Sequence, residues 1–533
     1  MPPPWYHKTT IYQIYPRSFY DSNSDGIGDL RGIIQKLDYL HSLGFESIWI
    51  SPFFASPQVD FGYDISDYLS LSVEYGTLED VRELIDEVHH RGMKIILDLV
   101  MNHTSDRHPW FLESKSSRRN PKSEWYLWRD IPNNWRSMTG GSGWHYAVER
   151  AQYYWASFLP FQPDLNYRNP EVKRTMLDVA RHWLGMGADG FRLDIFNVIF
   201  KDAEFKDNPF SFKITPSEND PSGYFQEMKN NLNQPESVQF ARELRRMCDG
   251  FGEKMLLGEI GGKRPLLRKF LGEEVNDGLG LIFDFGMLNF RFTAEYFRDL
   301  IQDIERHFPP PFTPVYVFSN HDRRRSMHRL GGDLRKAKLL HMLQLTVRGV
   351  PCMYYGEEIG MMNLPLPFKS ALDPIPHKFR FIPRFIFDLM GTTINRDEVR
   401  TPMQWDDSRN AGFSEAEQTW LPVHGNYVEV NAEKGRQKEG SLLNTFRELL
   451  KIRRVERTLR EGFLELLDDL PKEVLGYQRN LDGETLLILL NFSGRPRSLG
   501  LKYRECIFRL SAGEEGKTEA IRLDGFGGVI LRL

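Results

Sequence analysis

Four acidic side chains stand at the ends of apolar, strand-like runs. Asp98 follows KIIL, Asp194 follows GFRL, Glu259 follows LLG, and Asp322 closes the Asn320-His321-Asp322 triplet after VYVFS. Carboxylates gathered without a nucleotide or thiol motif suit cleavage of a glycosidic bond. One ionised carboxylate attacks the anomeric carbon, while a protonated one donates to the leaving oxygen and then takes a proton from water. A pair that works with retention sits about 5–5.5 Å apart. Neighbouring negative charge lets one member stay protonated while another is ionised. Arg192 lies two residues before Asp194, on the same face of a strand by period-two geometry, so its guanidinium would hold Asp194 ionised. Ordinary strand-end caps and turns are the plain alternative. That reading suits any one of these acids better than it suits four in step with the strands.

Positioning them falls to eight apolar runs: IYQIYP (11–16), ESIWIS (46–51), MKIILDLV (93–100), ADGFRLDIF (188–196), KMLLGEI (254–260), LIFDFG (281–286), VYVFSNHD (315–322) and VPCMYYGEE (350–358). Helix-like segments separate them, as in LEDVRELIDEVHHRGM (78–93), whose Leu78, Val81, Leu84, Ile85 and Val88 share a face before a stop at Gly92. Alternation of this kind predicts a parallel sheet covered on both faces, and eight strands close a (β/α)8 barrel, an α/β fold whose C-terminal strand ends meet at one mouth. About ninety residues separate the third and fourth runs, far more than an ordinary connection. Trp, Asn and Gly crowd there (PNNWRSMTGGSGW, 132–144), which predicts an inserted subdomain after strand 3. After LLNTFRELLKIRR (442–454) the pattern turns to short alternating strands (VLGYQR, TLLILLNF, GGVILRL), predicting a separate C-terminal all-β sandwich domain. The expected division is barrel 1–103, insertion 104–166, barrel 167–456 and C-terminal domain 457–533.

Composition narrows the partners. The 69 basic and 73 acidic residues leave a formal charge of −4, with no basic excess for nucleic acid or an anionic membrane. A small neutral molecule is the expected partner. Cys248, Cys352 and Cys506 are scattered, form no CxxC and leave at least one thiol unpaired, so a reducing compartment fits. MPPPWYHKTT carries no apolar leader, and no run approaches a membrane span. The expectation is a cytoplasmic monomer or homodimer without an organic cofactor, in which the sequons at Asn102 and Asn491 are chance matches. GIGDLRG fails the dinucleotide fingerprint because Gly32 falls one place late.

With these residues in view, the chain resembles the α-amylase superfamily of glycoside hydrolases, and within it the α-glucosidase and oligo-1,6-glucosidase group. DLVMNH (98–103), GFRLDIF (190–196), LLGEI (256–260) and FSNHD (318–322) match in order and spacing, and QPDLN (162–166) and RTPMQWDD (400–407) resemble further markers. The likeness runs from about Trp5 to the C-terminus. It implies Asp194 as nucleophile, Glu259 as acid/base and Asp322 as the third carboxylate, which holds sugar hydroxyls and helps distort the ring. It implies that His103 and His321 hydrogen-bond the same glucose, that Arg192 supports the nucleophile and that Tyr63 stacks on the sugar. Asp60, with Arg400, would close the pocket floor beneath the terminal glucose, implying exo action. Phe158 is expected as an aromatic wall at the entrance, with Asp98 and Asn102 organising the pocket.

DSNSDGIGD (21–29) sets oxygen donors at alternate positions, Asp21, Asn23, Asp25 and Asp29, with the Ile27 carbonyl available. That spacing suits a hard cation, and the resembled group often holds a structural Ca²⁺ at such a loop. A polar Asp- and Gly-rich turn is the plain alternative. Two positions depart from the group. Ile195 follows the nucleophile where a small residue, Thr or Val is usual, leaving α-1,4 against α-1,6 preference open. Phe61 stands where a polar residue is common, either tuning the mouth or only packing. A transglucosylase or sucrose isomerase would use the same glucosyl-enzyme and deliver it to a sugar. A non-catalytic, transporter-associated chain would commonly lack parts of the catalytic set, which is complete here.

Overall fold

The computed structural model describes residues 3–214, 217, 220, 222–379, 381–382, 386–387, 393–510 and 520–533. The eight runs form eight parallel strands: Ile11–Ile14, Ser47–Ile50, Lys94–Leu99, Gly190–Leu193, Met255–Gly258, Leu281–Ile282, Val315–Val317 and Val350–Tyr354. Each pairs with its neighbours in chain order, and the first pairs with the eighth. A parallel bridge between Phe283 and Val315 joins the sixth to the seventh and closes the barrel. The sixth run keeps only two strand residues, because Asp284 accepts from Gly286 N and starts a short helix, Phe285–Asn289.

Period-two alternation decides what fills the barrel. Ile11, Trp49, Ile96, Leu257, Val315, Val317 and Val350 pack into an interior cluster separate from the larger one outside. At the C-terminal end the same inward faces turn polar, with Gln13, Asp98 and Arg192 all buried. Around the barrel, helix Leu78–His90 shows how ends are set. Thr77 and Asp80 form a reciprocal capping box worth about 1 kcal/mol. At its other end Gly92 takes φ +68.

In the long connection a three-stranded antiparallel sheet, Trp128–Arg129, Trp144–Ala147 and Gln152–Trp155, encloses an indole cluster of Trp135, Trp144 and Trp155. At the C-terminal end, five antiparallel strands face a two-stranded sheet. Leu487, Leu489, Val529 and Leu531 of the first meet Ile521 and Leu523 of the second, as a sandwich requires.

Candidate active site

The first acids are placed by backbone. Asp194 directly follows the fourth strand and Glu259 the fifth. Their amides continue the ladder, Asp194 N to Leu99 O at 3.3 Å and Glu259 N to Leu193 O at 2.9 Å. Asp322 is set by its loop, its amide donating to Asn320 Oδ1 at 3.0 Å. Between the acids, Ile195 adopts φ 40 and ψ 51. A β-branched residue in the left-handed region is costly, on the order of 1–3 kcal/mol, and such strain gathers at functional sites.

Register then builds the charge network. Asp98 and Arg192 are direct partners on adjacent strands. Arg192 Nη1 donates to Asp98 at 2.9 and 3.0 Å and to Asp194 Oδ1 at 2.8 Å, while Nη2 donates to Glu259. One buried guanidinium therefore touches three carboxylates. Burial lifts the Asp194 carboxyl to about 6 against the pull of Arg192, with the charges of Asp98 and Asp322 adding to the rise. Asp322 behaves oppositely. Burial would raise it, but His321, Arg396, Arg400 and Arg192 together hold it well below the carboxylate range. His321 is pushed down to about 3, by burial first and then by Arg400 and Arg192. Neutral His321 then accepts from Gln13 at Nδ1 (2.8 Å) and turns Nε2 to the Tyr63 hydroxyl (2.8 Å) and Asp322 (3.1 Å).

A cavity of about 300 Å³ collects seven of the predicted residues: Asp60, Tyr63, His103, Phe158, Asp194, Glu259 and Asp322. Arg192, His321 and Arg400 lie buried behind it, holding the acids. Tyr63 stacks on His321 with ring centroids 5.4 Å apart, and Phe158 lies 5.6 Å from His103. His103 Nε2 bonds the Tyr63 carbonyl at 3.0 Å.

One pairing differs from expectation. Arg396, four residues before Arg400, meets Asp60 at 2.5 Å. Arg400 instead sits under Asp322 at 2.8 Å and donates from Nε to the His321 carbonyl. A short helix, Arg396–Val399, separates the two guanidiniums and sends them to different acids. Fully buried Asp373 anchors Arg396 with bonds of 2.8 and 2.9 Å, and Gln162 supports the other Asp60 oxygen at 2.9 Å. Sequence reasoning also missed Lys201, a buried ammonium between Asp164 (2.5 Å) and Asn102 (2.7 Å) that ties the QPDLN segment to the third strand's loop. Asn102, buried there, is a structural residue despite its sequon. Phe61 packs on Trp420 at 5.2 Å and under Arg17, outside the cavity lining. Its plain reading holds.

The Asp21–Asp29 loop is a run of Asx turns. Asp21 accepts from the amides of Asn23, Ser24 and Gly26, Asn23 Oδ1 from Asp25 N, and Asp25 from Ile27 N. Asp29 caps the following helix through Gly32 N. Among the described residues no three His, Cys, Asp or Glu side chains converge as a metal cluster. A cation here would need the Asn23 side chain and the Ile27 carbonyl as well as carboxylates. The donors are all oxygen, and burial raises Asp29 against hydrogen bonds from Ser22 and Gly32, with the Asp21 charge adding to the rise. The donor set fits a hard cation in kind.

Comparison with known proteins agrees with this geometry. The family model described as alpha amylase, catalytic domain, matches residues 13–462. The chain belongs to the α-amylase family. It is a glycoside hydrolase by that membership. A probable alpha-glucosidase of Rhizobium meliloti (strain 1021) is 37% identical, the alignment covering 99% of this chain and 97% of the relative. An oligo-1,6-glucosidase of Parageobacillus thermoglucosidasius is 36% identical over 92% of this chain and 90% of its own. Among solved structures, the alpha-glucosyl transfer enzyme XgtA superposes with a TM-score of 0.89 at 36% identity, and the trehalulose synthase MutB of Pseudomonas mesoacidophila MX-45 with 0.89 at 32%, each over 99% of both chains. The family model covers the barrel, and the likeness to these solved structures extends over nearly the whole chain, the β-rich C-terminal domain included.

Proposed function

We propose that this enzyme is a retaining, exo-acting α-glucosidase that releases α-glucose from the non-reducing end of short α-glucosides such as maltose, isomaltose, sucrose or small oligosaccharides. One observation carries the reading. Asp194, Glu259 and Asp322 line a single cavity together with buried Asp60 and its ion-pair partner Arg396, a pair that would close the floor beneath a terminal glucose. Asp194, ionised above about pH 6, attacks the anomeric carbon while Glu259 protonates the leaving oxygen. Glu259 then takes a proton from water, which attacks the same carbon and frees glucose with its configuration retained. Asp322, kept anionic, holds hydroxyls of the distorting ring, and Tyr63 and His103 line the place of the same sugar, with His321 orienting Tyr63 and Asp322 from behind.

Transfer to a sugar acceptor is the second reading, favoured by the likeness to XgtA and MutB. Supplying maltose, isomaltose, sucrose and trehalose separately and following products in time divides the two. Two glucoses per maltose, isomaltose or trehalose consumed, or one glucose with each fructose from sucrose, supports hydrolysis; new oligosaccharides or isomerised disaccharides with less glucose than that move the assignment to transfer; and no turnover of any refutes both.

A structural Ca²⁺ held by Asp21, Asn23, Asp25, Asp29 and the Ile27 carbonyl belongs to the same proposal, supported by the all-oxygen donor set and the acidity of that loop. It would order the loop and take no part in bond cleavage. A cytoplasmic setting as monomer or homodimer completes it, in keeping with the buried thiols of Cys248 and Cys352. No described helix is long and apolar enough to cross a membrane.

A further inference from the structure

Glu259 has to present its carboxyl within hydrogen-bond reach of the leaving oxygen, at a set separation from Asp194. Arg192 holds the far end of its side chain. The backbone that carries it is held from the neighbouring strand. Directly after Asp194, left-handed Ile195 turns the chain into the short helix Phe196–Val198, and the turn brings two residues against segment 259–261. Phe196 N donates to the Glu259 carbonyl at 2.9 Å. Asn197 takes both backbone groups of Gly261, its Nδ2 donating to the carbonyl at 3.1 Å and its Oδ1 accepting from the amide at 3.4 Å. With the ladder bond from Glu259 N to Leu193 O, residues 193–197 grip the acid/base segment on both sides of Glu259.

Asn197 is itself braced. Its second amide hydrogen goes to Asn233 Oδ1 at 2.7 Å, and its carbonyl accepts from Asn233 N at 2.9 Å. Asn233 holds φ 56, a left-handed conformation that asparagine tolerates better than most residues. Behind the pair, buried Val198 packs with Met228 and Leu232. Asn197 lines the cavity, so contact with the sugar is the competing role. Its hydrogen-bond inventory speaks against that. An amide side chain has two N–H donors, and both are spent, one on Asn233 and one on Gly261, while its oxygen already accepts from Gly261. Strain points the same way. A left-handed Ile195 persists only where its surroundings over-determine it, and the bonds made by Phe196 and Asn197 supply that.

We infer that Asn197 is a positioning residue. Its amide clamps Gly261 so that Glu259 meets the leaving oxygen at a fixed separation from Asp194, and Asn233 keeps that amide turned the right way. Asn197 acts through Glu259 and handles no proton of its own. The inference rests on the reading of Glu259 as acid/base and adds what sets that residue's place. A misplacement of about 1 Å in a reacting group costs on the order of 10²-fold.

Asn197→Ala removes all three side-chain bonds and leaves the acids in the chain. For maltose, whose leaving oxygen needs a proton, kcat/KM should fall about 10–100-fold, whereas nitrophenyl α-glucoside, whose leaving group departs without one, should lose no more than about threefold. A merely structural role would lower both alike through the fraction folded, so the ratio of the two is the readout, with thermal melting as the check on folding. Asn233→Gly is the second variant. It suits φ 56, keeps the backbone amide and removes only the oxygen that holds the Asn197 side chain. The maltose-to-nitrophenyl ratio should fall there by about fivefold, the worth of one neutral hydrogen bond. An unchanged ratio in folded N197A overturns the inference, and if N197A does not fold, an unchanged ratio in N233G overturns it instead. Glu259→Gln, measured alongside, separates the two levels. If it too leaves the ratio unchanged, the acid/base reading falls; if it shifts the ratio and the asparagine variants do not, only the positioning role falls.

Discussion

Replacing Asp98 by Asn should move the acid limb of the activity profile downwards. Asp194 must be ionised to attack, and its carboxyl stands at about 6 in the free molecule. Below that pH, kcat/KM should fall tenfold per unit. Asp98 contributes to the elevation. The two carboxylates accept from the same Arg192 nitrogen at 2.9 and 2.8 Å, so their nearest oxygens lie within about 6 Å. Two like charges at that distance repel by about 3 kcal/mol at an effective dielectric of 20, equivalent to about two pKa units. The neutral amide of D98N removes that repulsion and leaves the guanidinium more fully to Asp194 and Glu259. Because Asp98 is itself raised by burial and shares Arg192, the limb belongs to the pair. The expected fall is therefore about one to two units, to a limb near pH 4–5. Stability should follow with the same sign. A carboxyl raised in the folded state above its unfolded value of 3.8 withdraws stability as pH climbs from about 4 to 6, and that loss should shrink in D98N. The assay is kcat/KM against pH with an aryl α-glucoside, alongside melting curves. A limb that stays at 6 or rises, in a folded D98N enzyme, would refute the electrostatic account of the site.

Other perturbations have equally definite outcomes. Glu259→Gln should lower maltose turnover by about 10²–10⁴-fold while sparing nitrophenyl α-glucosides far more, and equal losses on both would remove its acid role. Arg396→Ala strands Asp60 and fully buried Asp373, so a stability loss of about 3–5 kcal/mol and a raised KM are expected. Wild-type melting and KM in that variant would contradict the sealed floor. Chelation should lower the melting temperature if the Asp21–Asp29 loop holds Ca²⁺, and an unchanged melt returns that loop to a plain turn.

The barrel was legible because each strand carries its own apolar run and each acid follows one directly, so pattern and chemistry coincide at Asp194 and Glu259. The same logic placed Arg192, since period two along a strand is rigid. It failed for the floor of the cavity. Arg396 and Arg400 are one helical turn apart in an irregular stretch, and only the three-dimensional path decides which reaches Asp60. Lys201 and Asp373 escaped for a related reason. Both act by neutralising buried charges from distant segments, a relation that leaves no periodic trace.

The most direct test of a retaining mechanism through Asp194 and Glu259 is NMR of the first glucose released from nitrophenyl α-glucoside, whose leaving group carries no sugar, read before mutarotation. α-Glucose is the expected product, because two displacements at one carbon restore its configuration. β-Glucose would require direct attack by water and would contradict Asp194 as the covalent nucleophile.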